Sequence, residues 1–167
     1  MRVTRKQAEL NRQRIIESAI RLFAERGVDG VGVAEVMADA GFTHGGFYNH
    51  FASKEDLVNE ACRTSFARSV TSLRDEDRPL DRLWDYDFGA CLSAPMLSEA
   101  GKGDNARLSP VYGQGISQLL DILTERHGDP ERAAAALSCF VGARVLARAV
   151  QRADRDLAHR FESMPFP

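Results

Sequence analysis

The spacing of the apolar residues limits the fold of this chain more than any other feature, because it follows the turn of a helix almost throughout. In the first stretch the apolar positions recur three or four residues apart and a glycine follows them: Ile16, Ala19, Ile20, Phe23, Ala24 and Gly27. Side chains at that spacing form one face of an α-helix, whereas a strand requires alternation, which no segment shows convincingly. We therefore predict an all-α chain.

Caps and breaks divide the chain into further helices. Gly41 ends a second helix, after which Thr43 is expected to cap a third with its hydroxyl. Ser53 and Asp56 form the pattern of a capping box at the start of a long fourth helix. Later Ser-Pro and Asp-Pro pairs are typical of an N-cap and the first helical position. The predicted helices are about 5–26, 33–40, 44–51, 54–73, 110–127 and 130–152, with short segments at 80–88, 91–99 and around 157–161.

The composition is ordinary for a soluble protein, with 44% apolar and 28% charged residues and no apolar run long enough to cross a bilayer. No signal peptide is recognised at the start. The cysteines Cys62, Cys91 and Cys139 are odd in number and widely spaced, which favours reduced thiols in a cytoplasm over a disulfide framework. Net charge is −2, but residues 1–14 carry five basic side chains against Glu9. We expect a cytoplasmic protein with a basic N-terminus and no membrane partner.

The sequence has few features of an enzyme or a metal site. It contains no G-x-S-x-G elbow, and "AGKGD" at 100–104 lacks the spacing of a phosphate-binding P-loop. Its four histidines form no H-E-x-x-H motif, and no cysteine pair has the spacing of zinc ligands. We predict no catalytic residue, no cofactor and no metal, and a small helical enzyme is retained only as an alternative from a different class.

The stretch "AGFTHGGFYNHFASKEDL", residues 40–57, combines two adjacent glycines with polar rings inside a predicted helix. Each glycine costs a helix roughly 1 kcal/mol relative to alanine. A helix in the major groove of DNA does use such residues, because glycine lets backbone approach backbone while hydroxyl, imidazole and amide groups reach phosphates and base edges. We predict a helix-turn-helix braced by the first helix, with Phe47 and Phe51 in its core.

Two stretches, "IIESAIRLFAERGVDG" and "VAEVMADAGFTHGGFYNHFASKEDL", resemble the TetR family of transcriptional regulators over about residues 12–60. The resemblance implies a helix-turn-helix DNA-binding domain over 1–52 and a helical regulatory and dimerisation domain over 53–167. It also implies that the threonine, tyrosine, histidine and lysine positions touch DNA. The candidate DNA-binding residues are Gly32, Thr43, His44, Gly45, Gly46, Tyr48, Asn49, His50 and Lys54.

This chain departs from the family at two places before and within the predicted interface. Val31 and Gly32 stand where the family often has two hydroxyl residues, so a side-chain phosphate contact is lost. His44 stands where lysine or arginine is frequent. Both differences favour weaker nonspecific affinity for DNA.

By the same resemblance, the larger half forms a homodimer and binds a small inducer that releases a palindromic double-stranded DNA operator, as in a repressor. The helix from Pro130 is rich in small residues and apolar on more than one face, which predicts a dimer contact. That contact is assigned to Leu137, Phe140, Val141, Gly142 and Val145. A pocket is assigned to Phe66, Trp84, Tyr86, Phe88, Cys91, Met96, Tyr112, Ile116 and Phe140, although the same set also suits plain core and the 74–91 region is short for the family.

Cys91 introduces an alternative mechanism. It lies near the predicted start of a helix, where a thiolate is stabilised and reactivity rises, but cysteine more often fills apolar space. We favour Cys91 as a pocket wall and Cys62 and Cys139 as interior positions. A repressor that senses oxidants or electrophiles through cysteine, and a DNA-binding protein without an inducer, are the other hypotheses.

Overall fold

The computed structural model describes residues 4–74, position 97 and residues 108–164. Within these residues the regular elements are helical and no strand occurs, which confirms the all-α fold class. Apart from position 97, which is helical, the segments predicted at 80–88 and 91–99 lie outside the described residues. The elements are α1 (Arg5–Arg26), α2 (Val33–Asp39), a 3-10 segment (His44–Asn49), α3 (Lys54–Leu73), α4 (Leu108–His127), α5 (Pro130–Val150) and α6 (Arg155–Glu162).

Helix α1 has the length that the sequence predicts, and Thr4 and Gly27 cap its two ends. Thr4 Oγ1 accepts a hydrogen bond from the Gln7 N–H at 3.2 Å, and Gly27 follows the helix with φ 75°, a value that residues with a Cβ rarely adopt. Asn11 lies inside the helix, where its side chain accepts a hydrogen bond from Gln7 Nε2 at 2.9 Å. The buried face of α1 begins at Ile15 and supplies the bracing surface for the elements that follow.

The third helix differs from its prediction in type, length and cap. It is a 3-10 helix of six residues rather than an α-helix reaching Phe51, and the Thr43 side chain makes no capping hydrogen bond. Runs of 3-10 helix are short because their hydrogen-bond geometry is poor. Two glycines give this stretch little propensity for a longer α-helix, and the buried rings of Phe47 and Phe51 fix it instead.

The cap of α3 is confirmed, with one change of partner. Ser53 Oγ accepts from the Asp56 N–H at 3.2 Å, as a capping box requires. The Asp56 carboxylate, however, accepts from the Ala52 N–H at 3.2 Å rather than from Ser53.

Of the two later helix starts that the sequence predicts, one is confirmed and one is wrong. Asp129 Oδ1 accepts from the N–H groups of Glu131 and Arg132, and Pro130 is the first residue of α5, as predicted. Helix α4, however, begins at Leu108, so Pro110 stands third in the helix and not first. A proline is tolerated there because the first-turn N–H groups have no intrahelical acceptor in any case. Helix α5 also ends at 150, two residues before its predicted end.

One apolar cluster runs through the described helices, from Ile15 in α1 through Phe66 in α3 to Phe140 in α5. Helix α1 packs on α2 and α3, α3 on α4, α4 on α5, and α5 on α6. The long helix α3 therefore links the N-terminal unit, which comprises α1, α2 and the 3-10 segment, to the remaining helices. The placement of a domain boundary between residues 52 and 53 remains a prediction.

Two arginines satisfy carbonyl groups at the ends of distant helices. Arg126 in α4 donates to Leu73 O at the end of α3 over 2.9 Å, and Arg148 in α5 donates to Ala24 O at the end of α1 over 2.6 Å. The last carbonyls of a helix have no intrahelical partner and carry partial negative charge. Both guanidinium groups therefore tie the helices together at points where the backbone needs a donor.

Candidate nucleic-acid interface

The 3-10 segment has one buried edge and two that face outward. A 3-10 helix has three residues per turn, so residues three apart lie above one another. Phe47 is 1% exposed and fixes the inner edge. Gly45 lies in line with Tyr48, which is 70% exposed, and Gly46 lies in line with the exposed Asn49. The outward surface thus carries a tyrosine and an asparagine, each with a glycine one turn before it.

Aromatic packing holds this surface in place. Phe47 and Phe51 are buried, as predicted, and their rings stack with centroids 5.5 Å apart. The Tyr48 ring meets Phe47 edge-on at 5.3 Å and an interplanar angle of 84°. Edge-to-face pairs of this kind are favourable, so the tyrosine ring is oriented from below while most of its surface stays open to a partner.

The protein itself does not require glycine at positions 45 and 46. Neither residue has a positive φ, since among the described glycines that conformation is confined to Gly27, Gly41 and Gly128. A Cβ on Gly45 would meet no atom within 4 Å, and one on Gly46 would make ordinary contacts, 3.6 Å from Met37 Cε being the nearest. Gly45 therefore faces open space, whereas Gly46 is half-buried beside the core residue Met37.

The other predicted contacts on the segment are accessible to different degrees. Thr43 and His44 are exposed, and the Thr43 hydroxyl is not used as a cap. His50 is half-buried, with its ring 6.5 Å from that of Phe42 and tilted against it. Thr43, His44, Tyr48 and Asn49 therefore form the accessible polar set.

Two predicted DNA-binding residues outside the 3-10 segment already form hydrogen bonds within the chain. Lys54 Nζ donates to Val28 O at 2.8 Å, although an ammonium group has three donors and this bond uses one. Gly32 is exposed at the N-cap of α2, and its N–H donates to Glu35 Oε2 at 2.9 Å. That hydrogen bond, followed by the Arg26 guanidinium, lowers the pKa of Glu35. A phosphate at the start of α2 would have to compete with this carboxylate.

The basic N-terminus divides into two kinds of residue. Arg5 and Lys6 are exposed in the first turn of α1. Arg12 and Arg14 instead reach the N-terminal unit, with their guanidinium carbons 4.3 Å and 5.0 Å from the centroids of Phe51 and Phe42. Sequence reasoning counted all four as free positive charge and missed the second pair, because only their aromatic partners distinguish them.

Helix α5 directs four of its alanines inward and part of its apolar surface outward. The buried residues of the helix are Ala133, Ala136, Phe140, Ala143 and Ala147. Phe140 is 4% exposed within the chain, so its assignment to a dimer contact is corrected to the core. The other predicted contacts, Leu137, Val141 and Gly142, are half-buried, and Val145 is 36% exposed beside Leu146 at 48%. An apolar stripe therefore lies on the outer face.

The predicted pocket residues fall into two groups. Phe66, Tyr112 and Phe140 are buried and Ile116 is half-buried; Phe66 and Tyr112 pack edge-on at 5.6 Å. The Phe66 ring lies so close to Gly115 that a Cβ there would fall 2.3 Å from it. Phe66 thus meets Tyr112 and Gly115 where α3 packs on α4, and Phe140 lies on α5. Trp84, Tyr86, Phe88, Cys91 and Met96 lie outside the described residues.

Two cavities in the described part of the chain lie elsewhere. An open cleft of about 390 Å³ runs along α1 and α3 and is lined by Glu17, Ser18, Ile20, Arg21, Ala24, Glu25 and Arg68. A smaller one of about 120 Å³ lies between Val28, Lys54 and Leu108. Neither is lined by a residue that the sequence assigned to the pocket.

Ion pairs join α1 to α3 along this cleft. The Arg68 guanidinium donates to both Glu17 carboxylate oxygens, which lowers the pKa of Glu17. Arg12 Nη2 lies 3.4 Å from Glu60 Oε2. Arg21, which also lines the cleft, pairs with Asp39 of α2 and lowers the pKa of that carboxyl. Sequence reasoning missed these pairs because they join residues on separate helices.

Burial distinguishes two of the predicted cysteine positions, whereas the metal and membrane predictions stay predictions. Cys62 is buried and Cys139 half-buried, so only the first is the interior position predicted. In the ranges 4–74 and 108–164, no three histidine, cysteine or acidic side chains are grouped as metal ligands. Helix α5 is long and apolar enough to cross a membrane by length and composition, but core helices of soluble proteins pass the same test.

Comparisons with known proteins agree with this geometry. The family described as "Bacterial regulatory proteins, tetR family" matches residues 15–61. The transcriptional repressor DhaR of Mycobacterium sp. (strain GP1) is 34% identical over 120 residues, covering 68% of this chain and 60% of that protein. The repressor KstR2 of Mycobacterium tuberculosis is 37% identical over 81 residues, covering 46% of this chain and 40% of KstR2. The chain spans between 24% and 60% of the lengths of the curated relatives that it matches.

A solved structure extends the likeness beyond the N-terminal unit. The multidrug-binding protein EbrR, crystallised with proflavin, is 25% identical, with a TM-score of 0.55 over 91% of this chain and 95% of EbrR. The family match includes the whole 3-10 segment and the buried rings of Phe47 and Phe51 that hold it. The structural likeness extends to α4 and α5. The chain therefore belongs to the TetR family of DNA-binding transcriptional regulators.

Proposed function

We propose that this protein is a cytoplasmic homodimeric repressor that binds a palindromic operator through the 3-10 segment and leaves it when a small molecule binds. The DNA contacts are assigned to the nine residues predicted from the sequence, with Thr43, His44, Tyr48 and Asn49 as the accessible polar set. The cysteine-based alternative depends on Cys91, which lies outside the described residues, so no observation favours it.

The observation that carries the DNA-binding assignment is the open space above Gly45. Glycine in a helical segment is unfavourable by about 0.5–1 kcal/mol relative to alanine. In this chain neither the backbone conformation nor the packing offsets that cost, because a Cβ at Gly45 would touch nothing. A partner that approaches the backbone closely would account for glycine at position 45. A sugar-phosphate wall of the major groove is such a partner.

The outer face of α5 supports the dimer. Val145 and Leu146 are exposed apolar side chains on one helix, while the opposite face is filled by α4 and α6. Exposed apolar stripes of this kind mark protein contacts. A second copy of the chain would cover the stripe with an identical one, as two-fold symmetry requires. Two recognition segments would then read the two halves of a palindrome.

The binding of a small-molecule inducer is supported by a structural relative and by the contacts of α3. EbrR binds proflavin, and this chain has the same fold at 25% identity. Helix α3 contacts α1 through Arg68 and Glu17 and also packs on α4, so a ligand that shifts α4 would change the angle of the N-terminal unit. A ligand can act in this way only if it binds one arrangement of the dimer better than the other.

The test of the DNA-binding assignment is the variant Gly45→Ala. Because the added methyl group meets open space, the free energy of unfolding should stay equal or rise by up to about 1 kcal/mol. Operator affinity should fall by about tenfold or more, since the methyl group separates the segment from the DNA backbone. The operator is first selected from random duplexes with the parent protein, and affinity is measured by fluorescence anisotropy over a salt series.

Tyr48→Ala is the matched control for a lost contact on the same edge. It should weaken operator binding by roughly 1–3 kcal/mol and leave helicity intact, because the side chain is largely exposed. If Gly45→Ala and Tyr48→Ala both bind the operator as the parent does, the 3-10 segment is not the recognition element.

A further inference from the structure

The 3-10 segment receives little support from its own residues. Phe47 is the one buried residue among its six positions, and two of the others are glycines. Its orientation therefore depends on the residues that flank it, Phe42 on one side and Phe51 on the other. Each of these rings is covered by an arginine from α1.

Arg14 contacts the residues that precede the 3-10 segment. Its guanidinium lies 5.0 Å from the centroid of Phe42, and Nη2 donates to Ala40 O at 2.9 Å. The same Nη2 atom would lie 3.2 Å from a Cβ on Gly41, the positive-φ residue of the turn. The arginine thus packs against the turn that precedes the segment, on both its ring and its backbone.

Arg12 contacts the residues that follow the 3-10 segment. Its guanidinium lies 4.3 Å from the centroid of Phe51, and Nη1 donates to His50 O at 3.5 Å. Nη2 lies 3.4 Å from Glu60 of α3, which directs the group toward the segment. Since an α-helix turns about 100° per residue, positions 12 and 14 lie on nearly opposite sides of α1 and reach the two ends of the segment separately.

We propose that Arg12 and Arg14 are positioning residues for DNA recognition, which fix the two ends of the 3-10 segment on α1 and do not act as phosphate contacts. The proposal rests on the DNA-binding role proposed above for that segment. A planar guanidinium can stack on a ring and donate along its edge at the same time, whereas an ammonium group cannot do both in this geometry. Arginine is therefore the side chain that this task requires at both positions.

Paired substitutions at each arginine separate the effect of its positive charge from that of its planar guanidinium group. The pairs are Arg12→Gln with Arg12→Lys, and Arg14→Gln with Arg14→Lys. If the arginines position the segment, both members of each pair should lose about tenfold in operator affinity, because lysine keeps the charge and loses the stacked fork. Affinity for an unrelated duplex should stay within twofold, and the slope of log affinity against log salt should not change. Arg63→Gln is the control, since Arg63 shares the partner Glu60 with Arg12 but does not reach the segment.

The opposite pattern would overturn the proposal. For a phosphate contact, lysine would restore binding, glutamine would weaken both duplexes alike, and the salt slope would fall by about one. Thermal unfolding of each variant excludes global loss of structure as the cause of weak binding.

A measurement without DNA tests the positioning directly. In protein labelled with ¹⁵N-glycine, the amide signals of Gly45 and Gly46 should shift in both glutamine variants, while those of Gly113 and Gly142 stay in place. Unshifted Gly45 and Gly46 signals would refute the proposal even if DNA binding were lost. If the parent selects no operator at all, the proposed function fails, whereas shifted glycine signals would still support the structural part.

Discussion

The 3-10 segment and helix α5 both depend on small residues, but they use them in opposite directions. Gly45 in the segment faces outward, where an added Cβ would touch no atom of the chain. Ala143 on α5 faces inward and is 4% exposed, because neighbouring helices fill the space beside it. In the first case smallness leaves room for a partner, and in the second it lets the chain pack against itself. Composition alone cannot separate these uses, and the side on which the small residue lies decides between them.

The largest expected effect comes from two adjacent positions of α5. Ala143→Glu should lower the free energy of unfolding by about 3–5 kcal/mol, because the carboxylate would be buried without a partner. Gly142→Glu should leave the fold intact, because a Cβ there meets no atom within 4 Å, and should give a monomer if the outer stripe is the dimer contact. Urea unfolding and sedimentation velocity measure the two outcomes.

These two variants also test the comparison itself. If the parent sediments as a monomer at micromolar concentration, or if the Gly142→Glu variant remains a dimer, the outer face of α5 is not the dimer contact. An Ala143→Glu variant as stable as the parent would show that the inward face is less tightly packed than the structure indicates.

A smaller effect is expected from two glycines of α4. A Cβ at Gly115 would fall 2.3 Å from the Phe66 ring, so Gly115→Ala should destabilise the protein by about 1–3 kcal/mol as the ring moves. Gly113 has open space, so Gly113→Ala should raise stability by about 0.5–1 kcal/mol. Thermal and urea unfolding give both signs, and equal effects at the two positions would contradict the close packing of α3 on α4.

The smallest effect concerns the ion pair between α1 and α3. Arg68 lowers the pKa of Glu17, so the stabilisation is present above the unfolded-state pKa, near 4.5, and is lost as pH falls through the folded-state value. Both side chains are almost half exposed, so Glu17→Gln should cost less than about 1 kcal/mol at pH 7. The difference from the parent should shrink as pH falls below 4.5, as measured by urea unfolding at pH 7 and at pH 3. A difference that is unchanged at pH 3 would exclude the ion pair as its cause.

The N-terminal unit was largely predictable because its signals are local. The cap at Thr4, the glycine breaks at Gly27 and Gly41 and the buried Phe47 follow from neighbours within a few positions. The helix type of residues 44–49 was not predictable, because it depends on rings outside the segment. Arg12 and Arg14 also could not be distinguished from free charge, since their partners lie 26 and more positions away.

The regulatory helices were predictable in outline but not in orientation. Asp129-Pro130 fixed the start of α5, yet apolar residues on several faces gave no indication of which face meets the chain's own core. Phe140 was consequently assigned to a dimer contact, although it is buried against neighbouring helices. The early start of α4 at Leu108 was equally hidden, because the signal of a proline at position 110 fits the first or the third residue of a helix.

The hydrogen bond from Arg148 to Ala24 O connects residues 124 positions apart. It means that the final turn of α1 is completed by a side chain from the helix that carries the outer apolar stripe. A hybrid regulator that joins these DNA-reading residues to the sensing half of another protein would leave that carbonyl without its donor. Engineering such a hybrid therefore requires an arginine at the equivalent point of the new partner, or a shorter α1 that ends before Ala24.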